Sequence, residues 1–210
     1  LVNKERLSNF QINTDQLSYD YSKQRLTQDI LDELLLIPEK IDLSRAILDI
    51  SEGGLLNTTE DRHVSHMLYR GVNDSKDTPE FKEISKQTLM LREFIKDIQN
   101  ASESFINAVI SVSIGGSRLG PELLSEVYGN PYSKIKVYYC SSYDLMELKD
   151  AMSLCNPART IIVISSKSFN TPEVIENANK AKNWLESLVG KSCWDQIFGI
   201  SSNKKGMTEF

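Results

Sequence analysis

From residue 105 onward the chain alternates short apolar runs with helix-length amphipathic stretches, and no other property restricts its fold as tightly. The runs are 105–112, 135–140, 160–164 and 197–200, and none alternates strictly between apolar and polar residues. Between them lie Pro121 to Tyr128, a stretch carrying Leu145, Leu148 and Met152, and a long stretch from Pro172 to Val189. Strands that are apolar on both faces and separated by helices pack as a parallel sheet covered on both sides. The expectation is an α/β fold with a parallel, doubly wound sheet. Ligands of such sheets sit at the carboxyl ends of the strands, near the point where strand order reverses. The loops after residues 112, 140, 164 and 200 therefore deserve inspection first.

Upstream the rhythm is helical. Thr27 can cap a helix carrying Ile30, Leu31, Leu34 and Leu35 that Pro38 stops, and Asp42 one carrying Leu43, Ala46, Ile47 and Ile50 before Gly53-Gly54. Asn57-Thr58-Thr59-Glu60 has the spacing of a capping box, with Val64, Met67 and Leu68 facing inward on the helix after it. Thr78 and Pro79 open a further helix, with Phe81, Ile84, Thr88, Leu91, Ile95 and Ile98 at helical spacing. Leu17, Tyr19 and Tyr21 alternate as a short strand does. This divides the chain into a mainly helical section, 1–104, packing on the sheet, and the sheet domain, 105–210.

Composition narrows the function classes. A hydrophobic fraction of 40% is enough for a packed core, and a net charge of -5 argues against a general electrostatic grip on nucleic acid or on an anionic membrane. No apolar run approaches the length of a membrane span, and no basic-then-apolar segment opens the chain. Cys140, Cys155 and Cys193 show no CxxC spacing and fall among apolar residues, as buried thiols of a reducing compartment do. His63 and His66, with Glu60, share one face of the expected helix, but no further ligands join them, so no metal is assigned. The first residue is Leu1, which suits a piece of a longer chain.

Two of the four loops stand out. Ser113-Ile114-Gly115-Gly116-Ser117-Arg118-Leu119-Gly120-Pro121 follows the first strand, and its glycines let backbone amides approach a ligand ahead of a helix start. It is neither a dinucleotide fingerprint nor a P-loop. Alternatively, it is only a tight strand-to-helix turn. After the third strand, Ser165 to Glu173 sets a cluster of hydroxyls and Lys167 just ahead of another helix start, which suits the oxygens of a phosphate monoester. Here Thr171 can also serve simply as a cap. Ser141-Ser142-Tyr143-Asp144 and Ser201-Ser202-Asn203 are weaker candidates that either line the same crevice or cap helices.

Together these segments resemble the glucose-6-phosphate isomerase family. Ser113 to Pro121 is similar to that family's GIGGSDLGP loop, and Ser166-Lys-Ser-Phe-Asn-Thr171 to its SKTFTT phosphate loop. Asn57 to Arg70 resembles its N-x-TE-x-R-x-V-x-H-xx-L-x-R segment, Tyr139 to Asp144 its FVSNVD strand end, and Ile200 to Asn203 its LSTN. The resemblance implies a sugar-isomerase (SIS), Rossmann-like domain at 105–210, cut short, after an N-terminal helical section. It also implies interconversion of glucose 6-phosphate and fructose 6-phosphate through a cis-enediol in glycolysis and gluconeogenesis. The whole enzyme would be a cytoplasmic homodimer with no cofactor and no metal, acting on a sugar phosphate and on neither nucleic acid nor membrane. Carried over by position, Ser166, Lys167, Ser168 and Thr171 bind the phosphate, while Gly116 and Ser117 lie against the sugar.

Four positions depart from the family pattern. Arg118 replaces Asp, inverting a charge beside the sugar loop. Pro172 replaces Gln and Asn170 replaces Thr. Ser113 replaces a glycine, adding a Cβ where the backbone would need freedom. The family's base glutamate, its arginine, its ring-opening histidine and its late lysine all lie beyond Phe210. No catalytic residue is therefore assigned to this segment, which is expected to bind phosphate weakly and turn nothing over. The alternative is a sugar-phosphate-binding protein without catalysis, or a degenerate isomerase copy.

Overall fold

Four strands form where the apolar runs fall: β3 (Ala108–Ser113), β4 (Lys136–Cys140), β5 (Thr160–Ser165) and β6 (Ile197–Ile200). The structure, a computed structural model, describes residues 5–70, 78–100, 106–130 and 132–210. Phe105, where the first strand was expected to begin, lies outside them. All four strands run parallel in the order β4-β3-β5-β6, so the order reverses between β3 and β5. Right-handed crossovers then place α7 (Gly116–Tyr128) on one face, with α8 (Met146–Leu154) and α9 (Pro172–Val189) together on the other.

Burial follows from that layering. Ile110, Val112, Ile162 and Ile164 in the central strands are all but inaccessible, and they pack with Leu148 and Ala151 of α8 and with Val174, Ala178, Ala181 and Leu185 of α9. The small Ala178 and Ala181 let α9 approach the strands closely. α7 differs, because none of its residues is buried.

The chain divides into two units, Leu1–Met90 and Leu91–Phe210. The first begins with α1 (Arg6–Asn9) and a hairpin of β1 (Gln11–Asn13) and β2 (Ser18–Asp20), the strand that the alternation of Leu17, Tyr19 and Tyr21 indicated. α2 (Gln28–Leu35), α3 (Ile37–Lys40) and α4 (Leu43–Ser51) follow. Thr27 caps α2 by accepting from the Ile30 amide, and Asp42 caps α4 by accepting from Arg45. Pro38 ends no helix alone: the chain turns at Leu36, and Pro38 sits in the first turn of α3, where its missing N–H costs nothing. Gly53 is obligatory, since its φ is +75° and a Cβ there would stand 2.7 Å from the Leu68 side chain.

The expected capping box does not form. Asn57 Nδ2 donates to Glu60 Oε2 at 2.7 Å and Thr59 Oγ1 donates to Asn57 Oδ1 at 2.9 Å. These side chains satisfy one another rather than helix amides. A bridge between Asn57 and Arg62 closes the segment as a turn. Only the single turn α5 (His66–Tyr69) is helical, with Leu68 buried. α6 (Pro79–Asn100) starts as expected, the Phe81 amide donating to Thr78 Oγ1 at 3.2 Å. Ile84 on it is buried, while Leu91 and Ile95 stay exposed. The last element is the short α10 (Lys204–Glu209). Among the described residues no helix is long and apolar enough to cross a membrane.

Candidate functional site

Ser113 and Ser165 are register partners on adjacent parallel strands, so the glycine turn and the hydroxyl loop leave the sheet side by side. Neighbouring strands lie about 4.8 Å apart. The order reversal between β3 and β5 therefore brings together the two loops that the sequence singled out. A ligand at the reversal meets the starts of α7 and α9, whose amide ends favour an anion.

The glycine turn is short, and α7 begins at Gly116, five residues ahead of the expected start at Pro121. Gly115 takes φ 58° and ψ −131°, a conformation open to glycine, and the amides of Arg118 and Leu119 close on its carbonyl at 3.0 and 2.9 Å. Gly116 and Ser117 thus form the first helical turn. A Cβ added at Gly115 or Gly116 would meet nothing within 4 Å, so packing inside the chain does not explain either glycine. Ser113, in contrast, ends β3 fully buried and near Ser111 Oγ, in ordinary strand backbone. A Cβ at that position obstructs nothing, contrary to the expectation for a replaced glycine.

The hydroxyl loop is held from both ends. Ser166 Oγ, buried, accepts the Phe169 amide at 3.1 Å and lies 3.3 Å from Thr171 Oγ1. Whichever of the two hydroxyls donates to the other, one O–H proton of the pair remains undonated within it. Thr171 occupies the N-cap position of α9, but its side chain caps no amide, because it is turned to Ser166. The hydroxyl of Ser168 donates to Asn170 Oδ1 within the loop, which gives Asn170 a local role. Lys167 is exposed at the loop's crest. Pro172 sits at the first helical position of α9, where proline is well tolerated.

Ser201, Ser202 and Asn203 were expected either to line the crevice or to cap a helix. Instead they chiefly grip the backbone of the hydroxyl loop. The Lys167 carbonyl accepts from Ser201 Oγ at 3.0 Å and Ser202 Oγ at 2.8 Å, and the Ser168 carbonyl accepts from Asn203 Nδ2 at 2.8 Å. Asn203 Oδ1 also caps α10 through the Gly206 amide.

Arg118, expected to invert a charge beside the glycine turn, is neutralised there by two carboxylates. Its Nε donates to Glu122 at 2.8 Å and its Nη1 to Glu147 at 2.8 Å. The paired hydrogen bonds keep the guanidinium protonated and hold the Glu122 carboxyl below its ordinary range. Burial pushes Glu147 upward, but hydrogen bonds from Arg118 and from the Ser141 and Ser142 amides outweigh it, so its carboxyl is also held low. Glu147 is a residue that the sequence did not single out. An acidic side chain in the first turn of a helix just after Ser141-Ser142 was the available signal.

His63 and His66 share no helix face. His63 Nδ1 pairs with the Gly53 carbonyl at 2.9 Å, and His66 opens α5. Among the described residues no group of three His, Cys, Asp or Glu side chains is arranged to hold a metal ion. The three cysteines form no disulfide, and Cys155 is only half-buried. Burial pushes the Cys140 thiol up to about 12, out of the range of a nucleophile at neutral pH.

Comparison with known proteins agrees with this fold. A family model described as phosphoglucose isomerase matches residues 20–210. A glucose-6-phosphate isomerase of Acinetobacter baumannii (strain AB0057) is 30% identical over 98% of this chain and 39% of its own length. One from Helicobacter pylori (strain G27) is 30% identical over 99% of this chain and 40% of its own. The chain thus spans about two fifths of these relatives. The crystal structure of a glucose-6-phosphate isomerase from Chlamydia trachomatis D/UW-3/Cx superposes with a TM-score of 0.74 at 21% identity, covering 96% of this chain and 40% of that one, which is a likeness of fold.

Proposed function

This chain belongs to the phosphoglucose isomerase family, and from that premise we propose that it forms the phosphate-anchoring part of a glucose-6-phosphate isomerase. The whole enzyme would interconvert glucose 6-phosphate and fructose 6-phosphate through a cis-enediol, as a cytoplasmic homodimer without a cofactor. Residues 105–210 would be its first sugar-isomerase domain and 1–104 its helical section. The family's proton-transfer groups lie outside this segment, so its own part is binding.

One observation carries the proposal: the glycine turn and the hydroxyl loop leave adjacent strands at paired residues where the strand order reverses. The remaining hydroxyl proton of the Ser166–Thr171 pair, the Lys167 ammonium and the start of α9 supply donors of the kind a phosphate dianion needs. Ser168 joins them by turning its hydroxyl from Asn170 to the ligand. Gly116 and Ser117 present backbone to the sugar with no side chain crowding Gly116. The alternative of binding without catalysis drew on Arg118 and Pro172. The first is neutralised by carboxylates and the second suits a helix start, so neither favours it.

Amide chemical shifts of the 210-residue chain, followed during titration with inorganic phosphate and with glucose 6-phosphate, test the reading. Both ligands should shift residues 166–171, and replacing Lys167 and Ser168 with Ala should weaken both about tenfold or more, as loss of charge-assisted hydrogen bonds does. Unchanged binding in that variant would remove the assignment. A coupled assay with fructose 6-phosphate should show no turnover by this chain, and turnover would mean that it holds a base after all.

A further inference from the structure

Arg118 stands in the first turn of α7, one residue after Ser117, and reaches over the carboxyl end of β4 to Glu147 in the first turn of α8. Its Nη1 contacts both Glu147 oxygens, at 2.8 and 3.1 Å, and also Ser141 Oγ. Nε and Nη2 are taken by Glu122 at 2.8 and 3.1 Å. A guanidinium bonded to two carboxylates carries no net charge to offer a phosphate. Glu147 in turn accepts the amides of Ser141 at 2.7 Å and Ser142 at 3.1 Å. A third helix grips the same loop, with Asn177 of α9 donating to the Ser142 carbonyl at 3.0 Å.

α7 has particular need of such a tie. None of its residues is buried, so no apolar ridge locks its start against the sheet. The hydroxyl loop is held by Ser201, Ser202 and Asn203, and none of these belongs to the Arg118 network. The two walls of the crevice are therefore fixed by separate sets of bonds.

We propose that Arg118, through Glu147, is a positioning residue that holds Gly116 and Ser117 in place and so sets selectivity for the sugar part of the ligand, leaving the phosphate cradle untouched. The inference rests on the sugar-phosphate reading above. It also accounts for an arginine where the family pattern has an aspartate: its partners, Glu122 and Glu147, are carboxylates that an aspartate would repel.

The test compares affinities for glucose 6-phosphate and inorganic phosphate in the 210-residue chain and its Arg118→Ala, Arg118→Lys and Glu147→Gln variants. Arg118→Ala should weaken glucose 6-phosphate about tenfold, within the range measured for residues coupled through one network, with inorganic phosphate unchanged. Arg118→Lys, which cannot bridge both carboxylates with two edges, should fall about threefold on the same measure and carries the test if the alanine variant does not fold. Glu147→Gln should follow the lysine variant. Equal weakening of both ligands, or none of either, would overturn the positioning role while leaving the site reading intact. A parent chain that binds neither ligand would sink both.

Discussion

Gly115 and Phe169 both turn the chain through positive φ, at 58° and 51°, one on each wall of the crevice. On the glycine wall the turn costs little, because there is no Cβ to clash, and its surroundings are open. On the hydroxyl wall a bulky residue also takes positive φ, at about 1–2 kcal/mol. Its ring compensates by burial: Phe169 is only 6% exposed and meets Phe210 edge-on at 5.7 Å. The supports differ as well. Neutral hydroxyls and an amide hold the hydroxyl wall through backbone carbonyls, whereas an ion pair between half-buried side chains holds the glycine wall. Two loops that leave adjacent strands side by side can thus carry opposite sensitivities, one to packing and the other to charge.

Removing the ring should break the comparison most sharply. Phe169→Ala is expected to cost about 3–5 kcal/mol of stability, read from denaturant unfolding, since it deletes a buried aromatic and keeps the strained turn. A cost under 1 kcal/mol would mean that packing does not hold that wall. Gly115→Ala should cost about 1–3 kcal/mol from backbone strain alone, because no atom lies near the new methyl. A smaller loss would indicate that the turn relaxes to another conformation. The least effect is expected from pH. Glu147 and Glu122 are held below the ordinary carboxylate value, so their contribution is complete above about pH 4.3 and fades as the pH falls through their lowered values. For the partly exposed Glu147 pair the loss should stay under about 1 kcal/mol. Hydrogen exchange between pH 6 and 3, corrected for intrinsic rates, should show the Arg118 and Leu119 amides losing protection while the Phe169 amide keeps its own. Parallel loss at both would contradict separate supports.

The strands, most helices and the pairing of the glycine turn with the hydroxyl loop were legible in the sequence because local signals and tertiary contacts agree there. Thr27, Asp42 and Thr78 cap the helices that their spacing announced. Ile110, Val112, Ile162 and Ile164 are apolar because they share the face of the sheet that α8 and α9 cover. Legibility failed where a side chain had two possible partners of similar strength. Asn57 and Glu60 bond each other instead of helix amides, and Thr171 bonds Ser166 instead of capping α9. The direction of Arg118 depends on Glu147, 29 residues away in sequence, which no local pattern connects to it. The sequence places the start of α7 too late because Pro121 looks like a first-turn residue, whereas it lies inside a helix already closed on Gly115.

The separate supports also give the crevice an order of assembly. A chain made from its amino end has residue 147 available to close the Arg118 pair well before residue 203 can reach Ser168. β3 must meanwhile wait for β5, some 50 residues downstream, before the two loops stand side by side. The glycine wall can thus be tied while the hydroxyl loop still lacks its clasp, and the hydroxyl loop is the last of the two to take its final form.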